Sequence, residues 1–324
     1  SEPVRGGRRG GGLNHGRLRR SCLSVPGGRP RFHAKAATVP ADEIILDLED
    51  SVPAAEKEAA RAQVTDSILR WRYDDQIRAV RINTFEGRWG QDDLRWLVER
   101  AGARIDCIVM PKVEGPSEVV RAERLLDQLE QAAGLDHRIS LEVQIESARG
   151  MAAVHAIAAA GWRLEALILG PIDLAADLGM PAVNEGAADD PTMDAIWVHH
   201  LSTVLVAARA HGLQAIDGPF PMLESAPGLE RSARRSALVG FDGKWAINPI
   251  QLDTINRLFS PSQLEFERAL AVIEAQARSE AEGAGASRFN GEMIDEATRR
   301  LALRLVERGR KAGMRAGGDE ATPA

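Results

Sequence analysis

The sequence predicts a (β/α)8 barrel, and two observations carry the prediction. Short apolar runs alternate with longer amphipathic segments, the pattern of βα units wound around a parallel sheet. About eight such units fit into roughly 230 residues, the usual size of such a barrel. A third observation speaks against the open, doubly wound alternative, because no glycine-rich turn follows the first strand in the dinucleotide-binding pattern.

Strands are expected at 22–26, 43–48, 77–83, 106–111, 139–145, 164–170, 213–216 and 244–248. Between them, segments such as 54–70, 116–132 and 196–210 have helical period and a polar face. Pro53 and Pro116 suit the first turn of a helix, and Gly212 suits a helix stop. Residues 1–20, rich in Gly and Arg with Glu2 as the sole acid, read as a disordered tail or as the remnant of an organellar transit segment. The barrel is expected over 21–260, a helical extension over 261–314 and a second disordered tail over 315–324.

Composition narrows the function. With 44% hydrophobic and 27% charged residues in 324, the chain has the balance of an ordinary soluble globular protein. A net charge of −6, a single Tyr and no basic face interleaved with aromatics exclude a nucleic-acid scaffold. No apolar run approaches the roughly 20 residues of a membrane span. Cys22 and Cys107 match no zinc spacing and read as buried reduced thiols, which fits a cytoplasmic or organellar-matrix compartment.

In a barrel of this kind the residues just past each strand share one mouth, and function is read there. Strand two ends in Asp47-Leu48-Glu49-Asp50, strand three in Val80-Arg81-Ile82-Asn83, and strand four in Met110-Pro111-Lys112-Val113-Glu114. Strands five and six deliver Glu146 and Asp173; strand seven delivers Asp217 with Gly218-Pro219-Phe220. Two carboxylates at neighbouring strand ends supply hard oxygen ligands for Mg2+, although both also suit the capping of the helices that follow. Arg81 is either the structural partner of Glu49 or Asp50, or a fixed donor to a developing oxyanion. Lys112 is a Schiff-base candidate, but the adjacent Glu114 keeps it charged. Asp47 and Asp50 read as partners of these groups or as loop caps. None of the seven His residues stands at an expected strand end.

These motifs, in this order and spacing, resemble the citrate-lyase-β-like HpcH/HpaI aldolase superfamily, and within it the malyl-CoA and citramalyl-CoA lyases. The resemblance runs from about residue 20 to 312 and continues through Asn248-Pro249-Ile250-Gln251 and Phe259-Ser260-Pro261. It implies a trimeric or hexameric barrel that uses Mg2+ or Mn2+ to make or break a carbon–carbon bond beside a CoA thioester. Glu146 and Asp173 match the metal ligands, Arg81 the arginine on the thioester oxygen, and Glu49 the acid that orients it.

Past the barrel, 261–282 has the pattern of a long helix that Gly283-Ala284-Gly285-Ala286-Ser287 breaks. Asp295, before the last helix, matches the acid/base carried on a lid that closes a neighbouring subunit's site; it also suits the N-cap of that helix. Stand-alone citrate lyase β subunits generally lack such a lid. The implied reaction is a reversible Claisen-type cleavage of a 3-hydroxyacyl-CoA to an acyl-CoA and a 2-oxo acid. Arg31 and Lys35, after the first strand, are placed to meet CoA phosphates, or form a solvated basic loop. The alternatives are a variant that goes on to hydrolyse the thioester, as malate synthase does, a citrate-lyase-β-like enzyme or class II pyruvate aldolase for free hydroxy-oxo acids, and a barrel without catalysis. The identity of the acyl and oxo-acid halves is not legible, although Arg88, Trp89 and Phe220 lie near the mouth.

Overall fold

A computed structural model describes residues 17–73, 76–180, 191–281, 287–289 and 292–317. The expected tail up to residue 16, the glycine break at 283–286 and residues 318–324 lie outside the described residues. The chain divides into two compact units, residues 1–255 and 256–324.

In the first unit, eight parallel strands close into a barrel: β1 (Ser21–Pro26), β2 (Glu43–Asp47), β3 (Ile77–Arg81), β4 (Cys107–Met110), β5 (Ser140–Ile145), β6 (Leu164–Leu169), β7 (Gln214–Asp217) and β8 (Gly243–Ala246). Each pairs with the next, and β8 returns to β1. The outer layer is formed by α1 (Pro30–Ala36), α2 (Lys57–Arg70), α3 (Gly90–Ala101), α4 (Pro116–Ala133), α5 (Ala148–Ala158), α6 (Pro171–Asp177), α7 (Pro191–Ala210) and α8 (Ala226–Val239), followed by the short α9 (Leu252–Leu258). Strands covered on both faces read as continuous apolar runs, which is why they stand out in the sequence.

Some edges differ from expectation. The third strand was expected to reach residue 83 but stops at Arg81, because Asn83 turns its N–H and side-chain amide to the buried Asp93 (3.0 and 2.6 Å). The helix expected at 54–70 starts with a 3-10 turn, Ala54–Glu56, before α2.

Inside the barrel, alternate strand residues such as Cys22, Ile45, Ala79, Cys107, Val109, Ile168, Ile216 and Trp245 form one buried cluster. Strand β5 departs from that pattern. At its alternate positions stand Glu142 and Gln144, followed by Glu146 just past its end, all buried. The lowest of these, Glu142, meets Arg19, whose Nε lies 2.8 Å from Glu142 and 3.5 Å from Glu43. Composition groups Arg19 with the tail, yet it is only 2% exposed and also pairs with Glu165 and Gln214. Gly243 lacks a side chain where a Cβ would collide with the Arg19 carbonyl. Residues 17–20 therefore close the barrel floor, opposite the mouth.

The second unit is a helical hairpin, α10 (Gln263–Ala281) and α11 (Glu296–Lys311), with an antiparallel pair of short strands, β9 (Ser287–Phe289) and β10 (Glu292–Ile294). The strand pair was not anticipated. Phe266, Ala269, Val272, Ile294, Ala302 and Val306 form its core. No helix among the described residues is long and apolar enough to cross a membrane.

Candidate active site

Parallel pairing sets Asp47 opposite Arg81 in the register of β2 and β3, and the two side chains meet as a bidentate pair. Arg81 Nε lies 2.7 Å from Asp47 Oδ1, and Nη2 lies 2.8 Å from Oδ2. Asp47 is held in turn by the N–H groups of Glu49 (2.9 Å) and Ser51 (3.2 Å). The remaining Arg81 nitrogen, Nη1, is shared among Glu49 (3.3 Å), Gln144 (3.4 Å) and Asp50 (3.5 Å). The acid that orients Arg81 most directly is thus Asp47, with Glu49 beside it. Burial disfavours charge on both partners of the fork. The mutual attraction outweighs it, raising Arg81 and holding Asp47 below the usual carboxylate range. Below the fork, the Trp245 ring centroid lies 5.3 Å from the guanidinium carbon.

Glu49 sits in the loop after β2, which Lys57 anchors by donating its ammonium to the carbonyls of Leu48 (2.9 Å) and Glu49 (2.7 Å). Burial pushes the Glu49 carboxyl up to about 7; its hydrogen bond with Asp50 adds to the shift and Arg81 opposes it. Lys112, after β4, directs its ammonium to Glu49 and to Asp50 (3.1 Å). Partial burial disfavours that charge, but the two carboxylates raise its pKa, so it is no Schiff-base nucleophile at neutral pH. Its partners are Glu49 and Asp50 rather than the neighbouring Glu114, which pairs with Arg149.

Glu146 follows β5 and is 3% exposed. Its Oε1 accepts from the Lys112 N–H at 2.7 Å. Gly170 packs against it so closely that a Cβ there would lie 2.5 Å from both Glu146 Cβ and Oε2. Burial pushes the Glu146 carboxyl up to about 8; the Lys112 N–H opposes the shift and the charge of Asp173 adds to it. Asp173 stands in the first turn of α6, half-buried. The two carboxylates are therefore near enough to repel. Five acids at this mouth, Asp47, Glu49, Asp50, Glu146 and Asp173, face three cations, Arg81, Lys112 and Lys57. The surplus of negative charge and the hard oxygen donors fit a divalent cation at Glu146 and Asp173. Among the described residues no group of three or more His, Cys, Asp or Glu has ligating geometry, so water or substrate has to complete such a site.

Other expected groups fall elsewhere. Arg31 and Lys35 are exposed on α1, with the Arg31 guanidinium 4.9 Å above the Phe32 ring. Asp217 is not offered to the mouth. It is 2% exposed, accepts from Ser236 at 2.8 Å and pairs with the buried Lys244. Phe220 is buried and its carbonyl accepts from Gln251, so it packs rather than lines. Trp89 is half-buried between Lys57 and Arg88, within 5.8 and 5.3 Å of its ring. His33 is buried between Pro26 and Ser67, and burial lowers its pKa.

Asp295 belongs to the second unit. It is exposed at the N-cap of α11, accepting from the Thr298 N–H and hydroxyl at 2.9 Å each. Those bonds lower its pKa, the opposite of what a general base needs, so in this state it acts as a cap. Gln144, Trp245 and Lys57 are the site groups that sequence reasoning missed. Only Gln144 left a signal, as a polar residue at an inward position between the apolar Val143 and Ile145.

Residues 20–249 match the family model described as HpcH/HpaI aldolase/citrate lyase. The chain is 37% identical over 305 residues to the L-malyl-CoA/beta-methylmalyl-CoA lyase of Rhodobacter capsulatus, covering 91% of this chain and 96% of that protein. It is 33% identical to the citrate lyase subunit beta of Escherichia coli, covering 92% and 96%. Matches to both kinds of relative span nine-tenths of the chain, so length alone does not separate the two branches. Among solved structures, it is similar to the CitE protein of Mycobacterium tuberculosis in complex with magnesium, acetoacetate and coenzyme A. That match has a TM-score of 0.70 at 30% identity and covers 91% of this chain and 99% of the other. This chain belongs to the HpcH/HpaI aldolase/citrate lyase family.

Proposed function

We propose that the chain is a Mg2+-dependent CoA-ester lyase that reversibly cleaves a 3-hydroxyacyl-CoA, of the malyl-CoA, methylmalyl-CoA or citramalyl-CoA type, to an acyl-CoA and a 2-oxo acid. The observation that carries this reading is the pairing of two functions in one mouth. Arg81 is fixed by Asp47 with its Nη1 shared among Glu49, Gln144 and Asp50, and a buried carboxylate, Glu146, is set against Asp173. Relatives named for malyl-CoA chemistry support it, as does the related structure with magnesium and coenzyme A.

Bound at Glu146 and Asp173, Mg2+ supplies Lewis-acid polarisation of the oxo acid's carbonyl. Arg81 holds the thioester oxygen, where negative charge develops as the enolate forms, and a donor fixed before the reaction needs no reorganisation. Glu49 and Lys112 keep Arg81 and Glu146 in register. Asp295 removes the proton next to the thioester in the condensation direction and returns it in cleavage. Exposed and capping a helix, it becomes a base once lid closure strips its water and frees it from Thr298. The lid acts on a neighbouring subunit of a homotrimer or homohexamer, and Arg31 and Lys35 meet the CoA phosphates. The domain plan is a barrel over 21–260 and a lid-bearing extension over 261–314, working in the cytoplasm or an organellar matrix.

A panel of CoA thioesters assayed for divalent-metal-dependent release of a 2-oxo acid tests the reading, with mass spectrometry identifying the thioester left behind. An acyl-CoA product supports a lyase; free CoA as first product points to the thioesterase-coupled variant. Asp295→Asn is expected to abolish turnover while leaving Mg2+ binding intact, and undiminished turnover returns Asp295 to its cap.

A further inference from the structure

Among the described residues, Lys112 is the one non-glycine with a positive φ, at 54°. That left-handed region disfavours a lysine, whose side chain makes no local hydrogen bond that stabilises it, and such strain persists only where the surroundings impose it. Here it has a geometric consequence. The turn after β4 swings the Lys112 N–H away from the strand ladder and onto Glu146 Oε1 at 2.7 Å, while the next residue, Val113, rejoins β5 by donating to the Gln144 carbonyl at 3.3 Å. Lys112 sends its ammonium the other way, to Glu49 Oε1 and Asp50 Oδ1. Glu49 divides its carboxylate, with Oε1 facing Lys112 and Oε2 facing Arg81 Nη1 at 3.3 Å. One run of contacts therefore joins Arg81, Glu49, Lys112 and Glu146 across the ends of β2, β3, β4 and β5.

We propose that Lys112 is a positioning residue that braces the two halves of the mouth, its strained main chain aiming one oxygen of Glu146 and its ammonium fixing Glu49 beside Arg81. The inference rests on the lyase reading above. It assigns Lys112 no contact with substrate, since its ammonium is committed to two carboxylates. Glycine satisfies the backbone there without strain but cannot reach Glu49. Alanine keeps the strain and the N–H but loses the ammonium. The two halves of the brace are thus separable by mutation.

Three variants test it: Lys112→Ala, Lys112→Gly and Lys112→Arg. In metal-free protein, K112G is expected to melt above K112A, because only the glycine relieves the left-handed residue. By calorimetry, K112A is expected to keep Mg2+ affinity, since the N–H to Glu146 remains, while its kcat falls about 10–100-fold. The KM for the CoA ester stays unchanged, and K112R recovers part of the lost kcat. A raised KM at wild-type kcat in K112A overturns the proposal and makes Lys112 a substrate ligand. Equal melting of K112A and K112G overturns the backbone half. A wild-type protein that binds no Mg2+ overturns the metal reading instead, and the metal-free melting comparison still judges the brace.

Discussion

At Glu146, burial pushes the carboxyl up to about 8, so the metal-free protein holds a proton there at neutral pH. On the proposed metal reading a cation at Glu146 would have to displace that proton, which fixes the sign of two effects. Mg2+ affinity is expected to fall as pH drops below about 8, by up to tenfold per unit, measurable by titration calorimetry at pH 6, 7 and 8. Stability of the metal-free protein runs the other way. Because the folded state binds the proton more tightly than the unfolded state, this group's contribution is complete below the ordinary carboxylate pKa and is lost as pH rises through about 8. Glu146→Gln is therefore expected to melt higher than wild type without metal at pH 8 and to lose all Mg2+-induced stabilisation. A variant that melts lower and still responds to Mg2+ contradicts the assignment. Arg81→Lys keeps the charge but not the fork held by Asp47, and kcat is expected to fall by about 10²–10³. The position of Glu146, Asp173 and Arg81 at the ends of apolar runs was legible in the sequence. The division of labour between Asp47 and Glu49 was not, because it depends on inter-strand register: Asp47 pairs opposite Arg81, while Glu49 lies two residues into a loop.

At the scale of elements, β5 and the β6–α6 turn set the site. β5 runs a polar column from the floor to the mouth, Glu142, Gln144 and Glu146, past the apolar cluster at the barrel's centre. Gly170 then brings the β6–α6 turn into contact with Glu146. Gly170→Ala removes no ligand, yet its Cβ forces Glu146 aside. The variant is expected to lose Mg2+ binding while remaining folded by circular dichroism; wild-type affinity in G170A would mean that Glu146 has room to spare. Strand order and most helices were readable because parallel strands buried on both faces are apolar throughout and helices carry a 3.6-residue period. Element edges were less so. Residue 83 leaves the sheet for the buried Asp93 ten positions later, and the β9–β10 pair is too short to show a period of two.

For the whole molecule, the least legible feature is the floor. Arg17 to Arg20 look like the end of a Gly/Arg tail, yet Arg19 is buried among Glu43, Glu142 and Glu165. No local pattern marks an arginine whose partners lie on β2, β5 and β6. Burial, with the charge of Glu142, raises the Glu43 carboxyl well above its usual range, and Arg19 opposes the shift. Arg19→Met leaves Glu142 buried without its cation and is expected to cost about 3–5 kcal/mol in urea unfolding. Glu43→Gln, which keeps the shape of a carboxyl whose charge burial already disfavours, is expected to cost far less. Equal effects would mean that the floor is held by something other than the Arg19–Glu142 pair.

The floor holds buried ion pairs, and the proposed chemistry belongs to the mouth at the opposite end of the barrel, where this fold carries active sites. The chemistry is tested most directly by following the cleavage of a malyl-type CoA thioester by the wild-type protein and by Glu146→Gln and Asp173→Asn, each with Mg2+ and with chelator. Wild type with Mg2+ is predicted to release acyl-CoA and 2-oxo acid in equal amounts, with no cleavage in chelator or in either variant. Cleavage that persists in chelator, or variants that turn over at the wild-type rate, would contradict a metal-dependent lyase site at Glu146 and Asp173.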